Sequence, residues 1–424
     1  MNFSERTLAL FSASVSMGRV RIVVHDGEAA KLARFSVSDF DLVAASEAAL
    51  KTGNPIADLI EQLYPASAYA HFGITSNDPW DVAHVLQLKT AVKFVVANVR
   101  VAVERLTLLV ESHATTLMVA RTQGQAGAPT TLGFKFATLL DELLRIAERL
   151  VRTMEEAAVI SVAGIVGTGS SFAVIGASPD EVESEMAGLM GLRVGRAPWF
   201  TARDRFVALT AALAQLCTFA GKVGHEVYNL QRTGIEEVTE GGACGSSATP
   251  QKTNPWISQR MHGLAVLEIL VHRRGRRGLG RGRARGRNCI RGVVRSDRPL
   301  PDQWPARWRL AELVGHLEVH AEVMLANLQR DPTVYSESIS MLLSRAVGKA
   351  RGYALVKAAI ARYRAGQPYP KAMEEAFRQA GLHAPEGSAR LPGALGWAVT
   401  RAQGIAAAAR EWLSADARPA TSGG

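Results

Sequence analysis

The sequence predicts an all-α fold built around a long central helix bundle, and two observations support that prediction. Apolar residues recur every three or four positions along five segments, the spacing that gives a helix one hydrophobic face. These segments span residues 80–111, 130–157, 202–230, 256–270 and 306–328. No alternating apolar and polar run is long enough to supply a central sheet. Because each helix must bury its apolar face, the five segments predict a bundle.

Shorter helical patterns lie on either side of the predicted bundle. One precedes it at residues 39–50, and three follow it at 337–364, 371–380 and 398–413. Residues 1–35 show no clear helical period, although residues 20–24 could form a short strand.

These patterns divide the chain into three predicted domains. The first is a small N-terminal domain with an atypical start, the second is the long-helix bundle, and the third is a small helical domain, at residues 1–78, 79–328 and 329–424. The bundle holds two unusual segments, a glycine-rich loop at 241–255 and an arginine- and glycine-rich run at 273–298.

Composition indicates a protein of the reducing cytoplasm. The 424 residues are 47% hydrophobic, and the three cysteines are widely spaced, which indicates neither a disulfide framework nor a zinc site. Charged residues such as Glu5, Arg6 and Arg19 interrupt the first 30 residues, so no signal peptide is predicted. Glycines and serines interrupt the apolar stretch at 159–177, so no membrane span is predicted.

The net charge of +10 comes from one segment. Residues 273–298 hold eleven arginines and one acidic residue, which leaves 38 of the 49 basic and 38 of the 39 acidic residues for the rest of the chain. Because that remainder is neutral, the basicity says little about the main ligand, and no nucleic-acid partner is predicted.

The glycine-rich loop carries the strongest motif. Residues 245–255 read Gly-Ser-Ser-Ala-Thr-Pro-Gln-Lys-Thr-Asn-Pro, and a helix follows whose N-terminus favours an anion. This stretch resembles the signature of the fumarase/aspartase superfamily, Gly-Ser-Ser-x-Met-Pro-x-Lys-x-Asn-Pro. Seven of its eight fixed positions match, and Thr249 stands where the pattern has methionine. The alternative is a glycine- and serine-rich loop that only caps a helix.

The resemblance implies roles for four residues of this loop. Members of the superfamily remove a proton from the carbon beside a carboxylate, and the first serine of the pair, here Ser246, is the base. A serine alkoxide needs nearby donors and cations, so Lys252 would neutralise the carboxylate and Asn254 would hydrogen-bond it. Ser247 would position the substrate. The resemblance implies no metal and no organic cofactor.

A second motif lies just before the first long helix. Residues 71–78 read His-Phe-Gly-Ile-Thr-Ser-Asn-Asp, which resembles the His-x-Gly-x-Thr-Ser-x-Asp motif of the carboxymuconate cycloisomerase branch. By that resemblance Thr75 and Ser76 bind a substrate carboxylate and His71 contributes to the same pocket. The run could equally be a helix N-cap. The Gly-Asn-Pro at residues 53–55 also resembles this branch, or is an ordinary turn.

Two further motifs depart from the family. Residues 121–123 read Arg-Thr-Gln where most members have Arg-Thr-His, so Thr122 and Gln123 would line the pocket. Glutamine cannot transfer a proton near neutral pH, which weighs against an adenylosuccinate lyase, in which that histidine is the proposed acid. Arg203, in a Pro-Trp-Phe-Thr-Ala-Arg-Asp-Arg run, could bind a carboxylate or simply pair with an aspartate.

The arginine- and glycine-rich run at 273–298 replaces a block that binds substrate in the family. Dense glycine disfavours a helix there. The run could be a solvated basic loop, an RNA-binding insertion of Arg-Gly type, or the product of a reading-frame disturbance, which we favour because expected sequence is replaced rather than extended.

Together the motifs predict a lyase or cycloisomerase that acts on a small polycarboxylate and is most similar to 3-carboxy-cis,cis-muconate cycloisomerase. Adenylosuccinate lyase is the alternative within the class. Gln123 and Phe200 stand where the motifs that they resemble have histidine, and Gly234 stands where the family has glutamate. These changes also leave open a non-catalytic relative on the same scaffold. The resemblance further implies a three-domain fold and a cytoplasmic homotetramer whose active sites each draw motifs from three subunits.

Overall fold

The computed structural model describes residues 37–54, 56–65, 69–162, 164–199, 201–242, 244–265, 305–384 and 393–415. These ranges are mainly helical, which confirms the predicted all-α class. The helices are α1 (Leu42–Thr52), α2 (Ala57–Leu63), α3 (Asn77–Ser112), α4 (Leu132–Ala157), α5 (Ser170–Ala173), α6 (Pro179–Met190), α7 (Asp204–Gln231), α8 (256–265), α9 (Pro305–Gly315), α10 (Ala321–Gln329), α11 (Ser336–Val347), α12 (Lys349–Arg364), α13 (Tyr369–Gln379) and α14 (Ala398–Ala415).

Short strands pair into three two-stranded antiparallel ladders in the described ranges. They join β1 (Leu117–Thr122) to β2 (Gln125–Thr131), β3 (Val238–Thr239) to β6 (Glu318–Val319), and β4 (Cys244–Gly245) to β5 (Thr253–Asn254). None of these ladders is a central sheet, as the sequence predicts, but the β1–β2 hairpin is not predicted by the sequence pattern.

The chain divides into two compact units. The described residues of the first unit lie within Met1–Ala97, Ile146–Leu216 and Leu267–Pro305. Those of the second lie within Asn98–Arg145, Cys217–Val266 and Ala306–Gly424. The division falls inside α3, α4 and α7. The three-domain prediction places its boundaries between predicted helices and stays a prediction.

Helix α1 shows how local sequence sets the bounds of a helix. The Asp41 carboxylate accepts hydrogen bonds from the N–H groups of Val43 and Ala44, at 3.0 and 2.9 Å, and so caps the first turn. The helix ends at Gly53, which has a left-handed φ of 70° and donates its N–H to Ala49 O. In the same unit, α2 contributes to a small core of buried residues formed by Ile56, Ile60, Leu63 and Ala70.

The long helices have the apolar faces that the sequence predicts. Eight apolar positions predict the first long helix, and Val96 is the one that is only half-buried in α3. The other seven are buried: Val85, Leu88, Val92, Val95, Val99, Val103 and Leu106. Helix α7 is long and apolar enough to cross a membrane by composition, but 61% of its most apolar window is buried inside the protein. That burial is typical of a core helix in a soluble protein.

The prediction of one continuous helix at 306–328 is wrong. The structure has two helices, α9 and α10, and between them β6 is extended and pairs with β3. The ladder matches Val238 with Val319 and Thr239 with Glu318. An extended backbone is needed for that pairing, so a partner about 80 residues earlier in the chain overrides the helical pattern.

The predicted helix at 337–364 is also two helices. Gly348 separates α11 from α12 with a φ of 80°, a conformation that favours glycine. The two helices pack so closely at Gly352 that a Cβ there would lie 2.7 Å from the backbone nitrogen of Ser344. With α13 they enclose the apolar core of the C-terminal part, which includes Leu343, Met373 and Phe377.

Other boundaries agree with the sequence to within a few residues. Helix α4 begins at Leu132 rather than residue 130 because Thr130 and Thr131 end strand β2. The predicted strand at 20–24, the end of the predicted helix at 266–270 and the run at 273–298 lie outside the described residues.

Candidate active site

The signature loop is a hairpin whose two ends are joined by the β4–β5 ladder. Cys244 pairs with Asn254 and Gly245 with Thr253, so the residues between them turn back on themselves. Inside the turn the Lys252 N–H donates to the Thr249 carbonyl at 3.0 Å. The structure therefore brings together the four loop residues that the sequence predicts: Ser246, Ser247, Lys252 and Asn254.

The Ser246 hydroxyl oxygen is held by three donors of its own loop. It accepts the backbone N–H of Ala248 at 3.3 Å and that of Thr249 at 3.1 Å. The Thr249 hydroxyl also contacts it, with an Oγ1–Oγ distance of 2.7 Å. Ser246 itself is half-buried, while Ser247 and Thr249 are exposed. A hydroxyl fixed by donors at the edge of solvent is suited to carry negative charge.

The lysine of the motif, Lys252, belongs to the same loop. Lys252 is exposed, and its ammonium has no ion-pair partner among the residues that the structure describes. The Asn254 side chain is half-buried and likewise makes no hydrogen bond within the described ranges. Both groups are therefore available to a carboxylate ligand.

The N-terminus of α8 is occupied by a carboxylate of the protein. Glu240 is buried and accepts the N–H groups of Ile257 and Ser258, at 2.9 and 3.0 Å, together with the Ser258 hydroxyl. The sequence predicts that this helix start favours an anion, and the anion that the structure shows there is Glu240. The Gln231 side chain in turn accepts the Glu240 N–H at 2.9 Å.

Trp256 fixes the other side of the loop's base. Its indole N–H donates to the Gly242 carbonyl at 2.8 Å. The guanidinium carbons of Arg260 and Arg309 lie 5.0 and 4.3 Å from the indole centroid, within the range of cation–π attraction. The contacts of Glu240 and Trp256 therefore tie the N-terminal end of the loop to the start of α8.

The Thr75–Ser76 loop belongs to the first unit and is organised by Asp78. The buried Asp78 carboxylate accepts the Thr75 N–H at 3.0 Å and the Gly164 N–H at 3.1 Å. The Asn54 amide donates to the Ser76 hydroxyl at 3.3 Å. The Asn54 of the predicted turn is thus joined directly to the predicted carboxylate-binding pair.

His71 begins that loop in an unusual backbone conformation. Its φ is 62°, in the left-handed region that few non-glycine residues adopt. Burial lowers the pKa of its imidazole below the ordinary value of 6.5. Its buried Nδ1 has no hydrogen-bond partner in the described part of the chain. A neutral imidazole has one ring nitrogen that donates a hydrogen bond and one that accepts.

Thr122 and Gln123 lie at the tip of the β1–β2 hairpin, in the second unit. Thr122 pairs with Gln125, so Gln123 and Gly124 form a two-residue turn, and their φ angles of 52° and 76° are both positive, as a type I′ turn requires. Both predicted residues are exposed. No hydrogen bond or ion pair between described residues joins this tip to the signature loop.

Arg203 has a structural partner in the first unit. Its Nη2 donates to the buried Asp81 carboxylate at 2.9 Å, and its guanidinium carbon lies 5.1 Å from the Trp199 ring centroid. The Trp199 N–H is bonded to the carbonyls of Val159 and Ile160. These contacts correspond to the aspartate-pairing alternative, and binding of a substrate carboxylate by Arg203 stays a prediction.

Sequence reasoning missed three residues that organise these loops. Asp78 and Glu240 are buried carboxylates that accept backbone N–H groups, and Ser171 donates to the Gly73 carbonyl at 2.7 Å. The available signals were the acidic residues at the edges of two motifs and the glycine-rich run at 164–169. Among the described residues no group of three or more histidine, cysteine, aspartate or glutamate side chains is placed to hold a metal ion.

Similarity to known proteins identifies the family of the chain. A lyase family model matches residues 15–267, more than half of the chain. A 3-carboxy-cis,cis-muconate cycloisomerase of Pseudomonas putida is 30% identical over 389 residues, which is 86% of this chain and 88% of that enzyme. The chain belongs to this lyase family, the fumarase/aspartase superfamily. Enzymes of the family act on small polycarboxylates.

Two other relatives are more similar over a shorter length. An N-acetyl-S-(2-succino)cysteine lyase of Dickeya dadantii is 38% identical over 50% of this chain and 46% of its own. An adenylosuccinate lyase of Pyrococcus horikoshii is 38% identical over 46% of this chain and 44% of its own. The chain therefore matches about half the length of each of these two relatives.

Solved structures give the same fold. The crystal structure of a 3-carboxy-cis,cis-muconate lactonizing enzyme from Pseudomonas putida superposes with a TM-score of 0.81 at 23% identity, over 96% of this chain and 94% of that one. A fumarate lyase from Mesorhizobium superposes with a TM-score of 0.79 at 21% identity, over 95% and 94% of the two chains. At these identities the likeness supports the fold alone.

Proposed function

We propose that the chain is an enzyme that takes a proton from the carbon beside a carboxylate, with Ser246 as the base. The observation that carries the proposal is the signature hairpin, in which donors contact the Ser246 oxygen and Lys252 lies in the same turn. The electron pair of the broken C–H bond becomes a C=C bond. The bond from the neighbouring carbon to oxygen, nitrogen or sulfur breaks, and its electron pair leaves with that atom.

Within this chemistry we favour a reaction like that of 3-carboxy-cis,cis-muconate cycloisomerase, which interconverts an unsaturated polycarboxylate and its lactone. The relatives of that name match along most of their length, whereas the two lyases at 38% identity match along about half of theirs. Gln123 favours the same choice, because a lactone oxygen is a carboxylate leaving group and does not require a strong acid.

Thr75 and Ser76 would hold a second carboxylate of the substrate. Their loop is fixed by Asp78 and Asn54, which leaves the two side chains in a defined place. Asn254 and Ser247 would hydrogen-bond the carboxylate that Lys252 neutralises, while Thr122, Gln123, His71 and Arg203 would border the remainder of the pocket. This assignment requires no cofactor.

A second candidate is release of fumarate from a succinyl group on nitrogen or sulfur. It is favoured by the 38% identity to an N-acetyl-S-(2-succino)cysteine lyase and to an adenylosuccinate lyase. Both names describe a succinyl group joined to a heteroatom. A thiolate leaves without full protonation more readily than an amine, so Gln123 is compatible with the sulfur substrate.

The active form would be a cytoplasmic homotetramer in which several copies complete each site. One feature supports self-association. Phe94, Val101 and Leu108 follow one another at seven-residue intervals on α3 and therefore share a face, with 58%, 43% and 42% of each side chain exposed. Apolar stripes of this kind mark interfaces between helices.

The test is an absorbance assay with three substrates, 3-carboxy-cis,cis-muconate, adenylosuccinate and N-acetyl-S-(2-succino)cysteine. We expect one of them to turn over, and the Ser246→Ala variant to lose at least about a hundredfold in kcat. Thr253→Val, which changes an exposed threonine of the same loop, is the matched control and should retain activity. Turnover that survives in Ser246→Ala contradicts the proposed base. If a folded wild-type chain turns over none of the three substrates, the non-catalytic relative is favoured.

A further inference from the structure

Thr249 makes a contact that the family signature does not provide. Its hydroxyl lies 2.7 Å from the Ser246 oxygen, and its N–H donates to the same oxygen at 3.1 Å. The signature has methionine at this position, and a methionine side chain has no O–H group to donate. The substitution therefore adds one donor to the hydroxyl of the proposed base.

The number of donors bears on the protonation state that the loop favours. With the Ala248 N–H, three donors converge on the Ser246 oxygen. A neutral hydroxyl has two acceptor lone pairs, whereas an alkoxide has three. A hydrogen bond to a charged oxygen is also roughly twice as strong as one to a neutral oxygen. In the neutral state the Ser246 hydroxyl can itself donate to the Thr249 oxygen, whereas in the alkoxide all three groups donate to Ser246. The contact with Thr249 therefore becomes a charge-assisted hydrogen bond when the alkoxide forms.

The backbone of Thr249 is well placed to keep this geometry. Its carbonyl accepts the Lys252 N–H at 3.0 Å, so one residue is bonded both to the proposed base and to the residue that carries the cation. Pro250 follows and restricts the backbone of Thr249 to extended conformations. A β-branched side chain is in addition stiff about its first torsion. Little conformational freedom therefore remains to be lost when the contact forms.

We propose that Thr249 is a positioning residue that orients Ser246 and stabilises its alkoxide through the hydroxyl–hydroxyl contact. The inference rests on the proposed function, because Ser246 must be the base for the contact to affect the rate. It also assigns a role to the one fixed position at which this loop departs from the signature. Thr249 does not touch the substrate and acts through Ser246 alone.

The experiment compares Thr249→Val, Thr249→Ser and the control Thr253→Val on the substrate that the wild type accepts. Thr249→Val removes the hydroxyl and keeps the shape and the N–H. We expect kcat to fall about a hundredfold with KM within about threefold of wild type. The ascending limb of the rate–pH profile should move to higher pH, because the alkoxide is less stabilised. Thr249→Ser should restore both, and Thr253→Val should resemble wild type.

The outcomes separate this inference from the proposed function. If Ser246→Ala is inactive while Thr249→Val has the wild-type rate and pH profile, the role of Thr249 is overturned and the base remains. If Ser246→Ala is active, the proposed base fails instead. Hydrogen exchange on the substrate-free chain tests the contact between the Thr249 and Ser246 hydroxyls, and it needs no substrate. The Ala248 and Thr249 amides should exchange roughly fivefold faster in Thr249→Val and be unchanged in Thr253→Val. Equal exchange in all three chains overturns the inference.

Discussion

Arg121 and Glu237 form a bidentate ion pair in which both nitrogen–oxygen distances are 2.8 Å. The Glu237 side chain is completely buried, and the Asn327 amide donates to the same carboxylate at 3.0 Å. Arg121 is the residue before Thr122 in the β1–β2 hairpin. The pair therefore fixes the hairpin tip, with its two predicted pocket residues, to the segment that leads into β3.

Glu237→Ala should destabilise the protein by about 3–5 kcal/mol, because it removes the partner of a charged group that is held away from water. Chemical unfolding monitored by circular dichroism measures the change. Asp141→Ala is the matched control, since Asp141 forms an exposed ion pair with Arg145 one helical turn away. That variant should cost less than about 1 kcal/mol. Equal losses in the two variants would show that the buried pair is not a structural tie.

Glu240→Ala should release the signature loop from α8. It leaves the N–H groups of Ile257 and Ser258 without their acceptor, and hydrogen bonds to a charged group contribute about 1.5–3 kcal/mol each. We expect a loss of stability of about that size and faster proteolysis within 241–255. Glu148→Ala, at an exposed site on α4, should change stability by no more than about 0.5 kcal/mol. A protease-resistant loop in Glu240→Ala would contradict the tie.

Gly124→Ala and Gly188→Ala should change stability in opposite directions. Gly124 has a φ of 76° in the hairpin turn, and no atom lies within 4 Å of an added Cβ, so the cost is that of the left-handed conformation, about 1–2 kcal/mol. Gly188 lies inside α6 with equally open space, where alanine is the better helix former by about 1 kcal/mol. Thermal melting of both variants checks the signs, and destabilisation by Gly188→Ala would count against the helix.

His71 should make the protein less stable as the pH falls. Burial lowers the pKa of the folded-state imidazole below the ordinary 6.5, so the unfolded chain binds a proton first on acidification. The contribution is fully present above pH 6.5 and is lost as the pH falls towards the folded-state pKa. Unfolding in urea at pH 7.5 and 5.5 should show a smaller pH dependence in His71→Asn than in wild type.

His113 provides an internal check on that result. Burial also lowers the pKa of its imidazole, and it lies outside the predicted site. The double variant His71→Asn/His113→Asn should lose more of the pH dependence than either single variant, since the two groups titrate separately. An unchanged slope in all three variants would exclude these imidazoles as the cause.

Val101→Lys and Leu108→Lys should reduce the size of the protein in solution. A lysine on the shared exposed face of α3 places a charge in the proposed contact between copies. Light scattering should show a tetramer for the wild type and smaller species for both variants. Leu189→Lys, which changes another exposed leucine on α6, is the control and should keep the wild-type mass. A monomeric wild type would contradict the tetramer.

The sequence predicted the fold class and the composition of the loops because both depend on local pattern. The spacing of Val85, Leu88, Val92 and their neighbours is a property of the helix itself, and seven of those eight positions are buried. The turn motif around Asn54 was likewise visible, although its bond to Ser76 was not. The β1–β2 hairpin was missed because its strands are half apolar and carry no alternating pattern.

What the sequence by itself determined is which side chains are present at each motif: a serine pair with a lysine and an asparagine, and a Thr-Ser pair before a long helix. Only the tertiary structure decided what those groups contact. It placed the Glu240 carboxylate at the start of α8, made residues 318–319 a strand partner of β3, and paired Arg203 with Asp81. These contacts join residues 17 to 122 positions apart, and a local pattern carries no information about which distant group fills a helix end or pairs with a buried charge.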